Sequence, residues 1–319
     1  MGRHETSVIV HGGFHKTATT HLQGILKRNE KRLDRHGIRY IHHRATRKNF
    51  TVPVQLNAYL NLGLPRRRRI DDDTLRSMTQ DFFDTHSEGQ PRRIIMSDEN
   101  MAGHCGQCVR GGTLYEYRRD FLEIFAREIP YRVSEVHMAI RGYADFFASA
   151  YVEFLRSVKR DSPPKLFVTE AKMKELVLEK KPSWRQALSD VRAAFPAARL
   201  FIWRYEDYEH LSGQVLQNLC GDAIDASLLR EPGSPQIRPT ASGEAVSRML
   251  AAADEGGLKA MVDCRIDIQE AFPKGRKWGS YDPWSPKDRA RLDAAYARDW
   301  EKICADNRYE ILAPDLLMA

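Results

Sequence analysis

Five short runs rich in β-branched and aliphatic residues, each leading into a polar cluster and then into helical periodicity, constrain the fold of this 319-residue chain more than any other feature. They are "SVIVHGG" from Ser7, "IRYIHH" from Ile38, "RRIIMS" (92–97), "SEVHMAI" (134–140) and "ARLFIWRYEDY" (198–208). Strands that alternate with helical segments assemble into a parallel sheet with helices on both faces. The sequence therefore predicts an α/β fold, a mainly parallel central sheet flanked by helices, with residues 1–319 in one domain. Ligands of such sheets bind at the carboxyl ends of the strands. The polar clusters "GGFHKTATT", "SDEN", "RGYADFFAS" and "RYEDY" all stand there.

Helical spacing of Leu22, Ile25, Leu26 and Leu33 predicts one helix over "TTHLQGILKRNEKRLDRHG", stopped by Gly37. After Arg141, the stripe Phe146, Phe147, Ala150, Tyr151, Phe154 and Leu155 reads as core packing on a helix. "SPKDRARLDAAYARDWEKI" reads as a capped amphipathic helix near the carboxyl end. Segments near 42–90, 161–182 and 221–240 are expected to be excursions that face substrate. Of the tryptophans in the later half, most are expected in the core.

Fifty Lys and Arg against 43 Asp and Glu leave a net charge of +7, which favours an anionic ligand without singling out nucleic acid. The densest basic run, "PRRRRIDDD", cancels its own charge. No apolar run approaches a membrane span, the start lacks the apolar stretch of a secretory signal, and a cytoplasmic protein is expected. "MGRHET" fits a short myristoylation pattern, but a strand starting at Ser7 leaves little tether, so lipidation is not expected. Five scattered cysteines make no disulfide framework. "HCGQC" (His104, Cys105, Cys108) lacks a second ligand pair, and a reduced, partly buried thiol pair is expected there, with no metal required.

The chemistry concentrates in "HGGFHKTATTHLQ" (11–23). A nucleoside-triphosphate loop puts its lysine directly after a glycine, and Lys16 has none there. Yet a strand, two glycines, a lysine and hydroxyl residues opening a helix still present amides, a helix amino terminus and a full positive charge to a phosphate. Arg141 closes the fourth strand, and Ser149 follows eight residues later on the next helix, a pair able to clamp a second phosphate.

In combination these motifs resemble the sulfotransferase family, in the manner of a soluble bacterial-type member. "GGFHKTATTHLQ" is similar to its 5′-phosphosulfate loop, and Arg141 with Ser149 to its 3′-phosphate motif. "RYEDY" (204–208) resembles a strand exit of the family, and "FPKGRKWGSYDPWS" (272–285) its late basic loop. Ala18 stands where the family prefers glycine, and the late loop departs from the usual spacing.

The resemblance implies a P-loop NTPase-like sulfotransferase fold. It implies 3′-phosphoadenosine-5′-phosphosulfate as donor, 3′,5′-adenosine bisphosphate as product, and a carbohydrate or small hydroxylated (or amine) molecule as acceptor. Lys16 would face the bridging oxygen between phosphate and sulfate. Gly13, Phe14, His15, Thr17, Ala18, Thr19 and Thr20 would line the 5′-phosphate, Arg141 and Ser149 the 3′-phosphate, and Lys274, Gly275, Arg276 and Lys277 the late loop. The acceptor needs a general base, for which Glu99 at the end of the third strand is the choice, with Asp98, His104, His11 and His15 as alternatives. His15, beside Lys16, is expected to orient the loop. A P-loop kinase or NTPase, and a non-catalytic binder of polyanions, remain the rival classes.

Overall fold

The computed structural model describes residues 5–66, 68–233 and 241–314. Its centre is a six-stranded, all-parallel sheet in the order β2-β3-β1-β4-β5-β6. β1 (Ser7–His11) is joined to β2 (Ile38–Ile41) by α1 (Thr19–Arg28) and α2 (Glu30–Arg35). Then α3 (His43–Thr46), a π-helical turn Arg47–Thr51 and α4 (Val52–Asn61) run on continuously, and α5 (Asp72–Ser87) returns the chain to β3 (Arg93–Ser97). α6 (Cys105–Gly111) and α7 (Arg118–Arg127) lead to β4 (Arg132–Ile140); α8 (Tyr143–Ser157), α9 (Glu170–Lys180) and α10 (Trp184–Ala194) lead to β5 (Arg199–Arg204). α11 (Tyr208–Cys220), α12 (Gly243–Ala271) and α13 (Pro286–Cys304) precede β6 (Glu310–Ile311).

The alternation of each strand divides its side chains between two cores. Val8, Val10, Met96, Met138 and Ile202 face one, with the Phe146–Leu155 stripe of α8 and the buried Trp184. Ile9, Ile95, Ala139 and Trp203 face the other, under Leu22, Ile25 and Leu26 of α1 and Leu211 and Val215 of α11. Burial on both faces explains why these strands read as nearly continuous apolar runs.

The expected single helix after β1 is two. Asn29 leaves helical geometry (φ −104°, ψ 8°), and its side-chain amide donates to the carbonyls of Ile25 and Arg230. A local side-chain partner for the backbone ends α1 there. The segment 161–182, which reads as Pro-rich excursion, holds α9, with Met173 and Val177 buried against the core. Residues 234–240 of the third expected excursion, Arg67 of the basic run and residues 1–4 of the lipidation pattern lie outside the described residues.

The strand order creates one privileged crevice. From β1 the chain leaves towards β2 on one side of the sheet, and from β4 it leaves towards β5 on the other, although β1 and β4 are neighbours. Such a switch point opens a gap beyond the carboxyl ends of the two strands. The β1–α1 loop and the β4–α8 junction both empty into it.

Candidate functional site

The β1–α1 loop continues the line of β1 beside β4 before turning: Gly13 N–H donates to the His137 carbonyl at 3.2 Å and Phe14 N–H to that of Ala139 at 3.3 Å. It then passes through the left-handed region three times, at Gly13 (φ 45°), Lys16 (φ 65°) and Ala18 (φ 62°). The amides of Gly13, Phe14 and His15 are taken by the His137 and Ala139 carbonyls and the Tyr115 hydroxyl, so an anion would be met by amides further along, towards the start of α1. A Cβ on Gly13 would lie 2.5 Å from the Thr19 methyl, so only glycine lets the loop close on α1. Ala18 is the N-cap of α1 and supplies no side-chain cap, which leaves the first amides of the helix to other acceptors. For Lys16 and Ala18 the left-handed conformation costs about 1–2 kcal/mol each. Strain that packing must sustain marks a place where the backbone has work to do.

The loop is clamped from three sides. Phe14 is fully buried against the rings of Trp184 (4.6 Å) and Tyr115 (5.6 Å). His15 is held by both ring nitrogens, Nδ1 at 3.0 Å from the Tyr115 hydroxyl and Nε2 at 2.6 Å from Asn100 Oδ1. Since an amide oxygen only accepts, Nε2 carries the proton and Nδ1 accepts from Tyr115. That hydroxyl also accepts from the His15 amide. Burial lowers the pKa of His15 and favours the neutral ring. Thr17 is buried and its hydroxyl donates to the Phe14 carbonyl; Thr19 is buried, and Thr20 is exposed.

Arg141 is the third clamp. Its Nη1 donates to the Lys16 carbonyl at 2.9 Å, its guanidinium lies 4.4 Å from the centre of the Tyr205 ring, and its buried Nε has no partner. Trp184 fixes the same residue from behind, Nε1 donating to the Arg141 carbonyl at 2.7 Å. The two motifs singled out in the sequence thus meet, although Lys16 and Arg141 stand 125 positions apart. Ser149 sits half-buried on α8. One turn further on the same face, Glu153 accepts from the Lys16 ammonium at 2.8 Å. Glu206, of the strand exit "RYEDY", accepts from the Gly142 amide at 2.8 Å and anchors the start of α8. Lys274, Gly275, Arg276 and Lys277 are exposed; within their turn the Gly275 amide donates to the Trp278 carbonyl at 2.9 Å, while on either side Ser242 Oγ donates to the Phe272 carbonyl and the Gly243 amide to that of Gly279.

Beside the loop lies a carboxylate pair at the end of β3. Asp98 is completely buried, and both it and Glu99 are tied to Arg47, whose Nη2 is 2.6 Å from Asp98 Oδ1 and 2.8 Å from Glu99 Oε1. Arg47 Nε adds a third bond to Asp98 at 3.0 Å. Burial dominates for Asp98 and raises its pKa to about 6 despite the guanidinium. For Glu99 burial also acts upward, but His15 and Arg47 outweigh it and hold the carboxyl at about 2. Gln23 of α1 donates to Glu99 Oε2 at 3.2 Å.

The alternative bases are constrained too. His11 is buried with its pKa lowered to about 3, chiefly by desolvation. His104 is lowered to about 4 for the same reason and serves as N-cap of α6. Cys105 and Cys108 are buried free thiols, Cys108 pushed up to about 12 by burial. Among the described residues no group of three or more His, Cys, Asp and Glu side chains is arranged to hold a metal, and no helix is long and apolar enough to cross a membrane.

Arg47, Gln23, Tyr115 and Glu153 do not stand out in the sequence. Glu153 had a signal, because it lies four residues after Ser149 on one helical face. Arg47 had none, since it enters from a π-helical turn in a segment without strand-end character.

No protein-family model matches the chain, and no curated protein matches it. In structure the chain is similar to a sulfotransferase from Alicyclobacillus acidocaldarius at 12% sequence identity and a TM-score of 0.39, with 82% of this chain and 96% of that chain covered. A likeness this distant carries no argument about function.

Proposed function

We propose that the chain is a sulfotransferase, working as one unit, that moves the sulfuryl group of 3′-phosphoadenosine-5′-phosphosulfate to a hydroxyl or amine of a carbohydrate or small-molecule acceptor. The observation that carries this reading is the strained β1–α1 loop at the β1/β4 switch point, clamped by Arg141. The residues fit an anionic donor: a strained loop that opens on an uncapped helix amino terminus, and a buried Arg141 Nε without a partner. A lysine with no glycine directly before it suits a phosphosulfate loop better than a nucleoside-triphosphate loop.

In this reading Gly13 to Thr20 cradle the 5′-phosphate, and Arg141 and Ser149 take the 3′-phosphate. The cations Lys274, Arg276 and Lys277, with Gly275, form the late loop over the donor. The donor, when bound, supplies the sulfuryl group. Lys16, now paired with Glu153, balances the negative charge that grows on the leaving phosphate. Glu99 accepts the proton of the acceptor hydroxyl. Its pKa of about 2 keeps it ionised at neutral pH and makes it a weak base. A loose in-line displacement, like that of phosphoryl transfer, asks more of positioning than of basicity. Asp98 is more basic but has no exposed side-chain surface with which to meet an acceptor.

The test is calorimetric titration with 3′,5′-adenosine bisphosphate, and separately with ATP and Mg²⁺, on the wild type, Lys16→Ala and Arg141→Ala. Binding of the bisphosphate alone, lost in Arg141→Ala, supports the proposal. Binding of ATP with Mg²⁺ but not of the bisphosphate would transfer the site to the kinase class. Binding of neither would favour a polyanion binder.

A further inference from the structure

His11 closes β1 with its ring buried on the α1/α11 side, stacked on Trp203, and at first sight it is only a core histidine. Its hydrogen bonds say more. Nδ1 lies 2.9 Å from the hydroxyl of Ser97, its register partner on β3. That hydroxyl also meets the Gln23 amide nitrogen at 3.1 Å, and the same nitrogen reaches Glu99 Oε2 at 3.2 Å. The direction of every proton follows. Ionised Glu99 can only accept, so Gln23 gives one hydrogen to Glu99 and the other to Ser97. Ser97 has its own hydrogen left, and Nδ1 of His11 is where it points. A neutral imidazole that accepts at Nδ1 carries its proton at Nε2. Burial, with His137 beside it, keeps the ring neutral.

Nε2 is buried and has no partner. It lies 3.6 Å from the point where a Cβ on Gly13 would sit, and Thr17 Oγ1 lies 3.5 Å from that same point. Nε2 therefore lies close beneath Gly13, where the Thr19 methyl and the Thr17 hydroxyl also pack. A buried donor without an acceptor is rare in a folded protein and asks for an explanation.

We infer that His11 is a positioning residue for the anion held by this loop, a neutral donor fixed in the Nε2–H form by Ser97 and Gln23. The inference rests on the reading of the loop as the donor's phosphate site. His11 is not a base here: its one lone pair is committed to Ser97. The N–H dipole faces the negative charge above it without the desolvation of a further cation, and the Ser97–Gln23 bridge connects that charge to Glu99. Loop occupancy and base orientation become parts of one hydrogen-bonded chain.

The experiment is ¹⁵N NMR of histidine-labelled protein, with His11 assigned through its contacts to Trp203 and Ser97, alongside calorimetry. The wild type is expected to carry the His11 proton on Nε2, and the Nε2 resonance to move on addition of 3′,5′-adenosine bisphosphate. His11→Phe, which keeps a ring on Trp203 but has no donor, is expected to bind the bisphosphate about tenfold more weakly. A proton on Nδ1 overturns the inference whatever the protein binds, and so does an Nε2 resonance that stays still while the bisphosphate binds. If the wild type ignores the bisphosphate, the sulfotransferase reading fails, and the same titration with inorganic sulfate decides on His11. An Nε2 resonance that moves with sulfate sustains the inference, and one that does not refutes it. The wild-type measurements hold even where His11→Phe does not fold.

Discussion

Replacing Arg47 by Gln should alter how stability depends on pH as well as its size. In the wild type the two carboxyls pull in opposite directions. Asp98 is raised from 3.8 to about 6, so it binds its proton more tightly folded than unfolded and costs stability as pH rises through that window. Glu99 is lowered, so it contributes stability that is present above 4.5 and lost as pH falls towards 2, the share owed to His15 only where that ring is protonated. Without the guanidinium, burial governs both groups, and only His15 still draws Glu99 downward. Both carboxyls then favour the protonated state, and stability falls steadily as pH rises. Breaking a buried pair costs about 3–5 kcal/mol. Arg47 is one-third exposed, which puts the loss at pH 7.5 near the lower end, about 3 kcal/mol. At pH 4.5, where the variant can protonate both groups, about 1 kcal/mol should remain. Urea unfolding of wild type and Arg47→Gln at the two pH values measures this. An equal gap in midpoint at both, or a larger one at pH 4.5, refutes the account of the cluster.

Three further outcomes test separate parts of the structure. Ala18→Gly relieves a left-handed alanine at about 1–2 kcal/mol and adds unfolded-state entropy worth about 0.5–1, so the melting temperature should hold or rise; a clear fall would mean that Ala18 is not strained. Gly112→Ala should destabilise by more than about 2 kcal/mol in urea, because φ is +64° and the new Cβ would meet the Leu176 backbone at 2.5 Å; a neutral result would show that Gly112 does not lie against that backbone. A thiol reagent should modify exposed Cys304 first and leave Cys105, Cys108 and Cys220 slow, the last two being pushed up to about 12 by burial; mass spectrometry showing early labelling of the buried three would contradict their environment.

The sheet was legible because its first five strands are buried on both faces and so carry nearly continuous apolar runs. β6 was not, since two residues, Glu310 and Ile311, make no pattern, and their place comes from pairing with Phe201 and Ile202. The split of the first helix was hidden for a related reason. The period from Leu22 to Leu33 runs smoothly across Asn29, and only a partner 201 residues away, the Arg230 carbonyl, turns that side chain into a stop. Within the site, the loop was legible from composition alone, whereas its conformation was not. Glycine at 13 announces positive φ; lysine at 16 and alanine at 18 give no such sign.

That difference bears on what the strain means. Glycine at 16 or 18 would adopt the same backbone at less cost, so the two residues are tolerated in the left-handed region because the surroundings over-determine it. Arg141 holds the Lys16 carbonyl, Glu153 its ammonium, and Tyr115 and Trp184 the rings on either side of Phe14. Each of these clamps comes from a different stretch of chain, and each makes sense only if the loop must keep one shape before any ligand arrives. A loop that had to be merely flexible would need none of them. Preorganised amides aimed at a place where charge will appear are worth most when no reorganisation is required at the moment of binding or reaction. The clamps therefore argue for a loop held in one shape, the property that the proposed anion cradle requires.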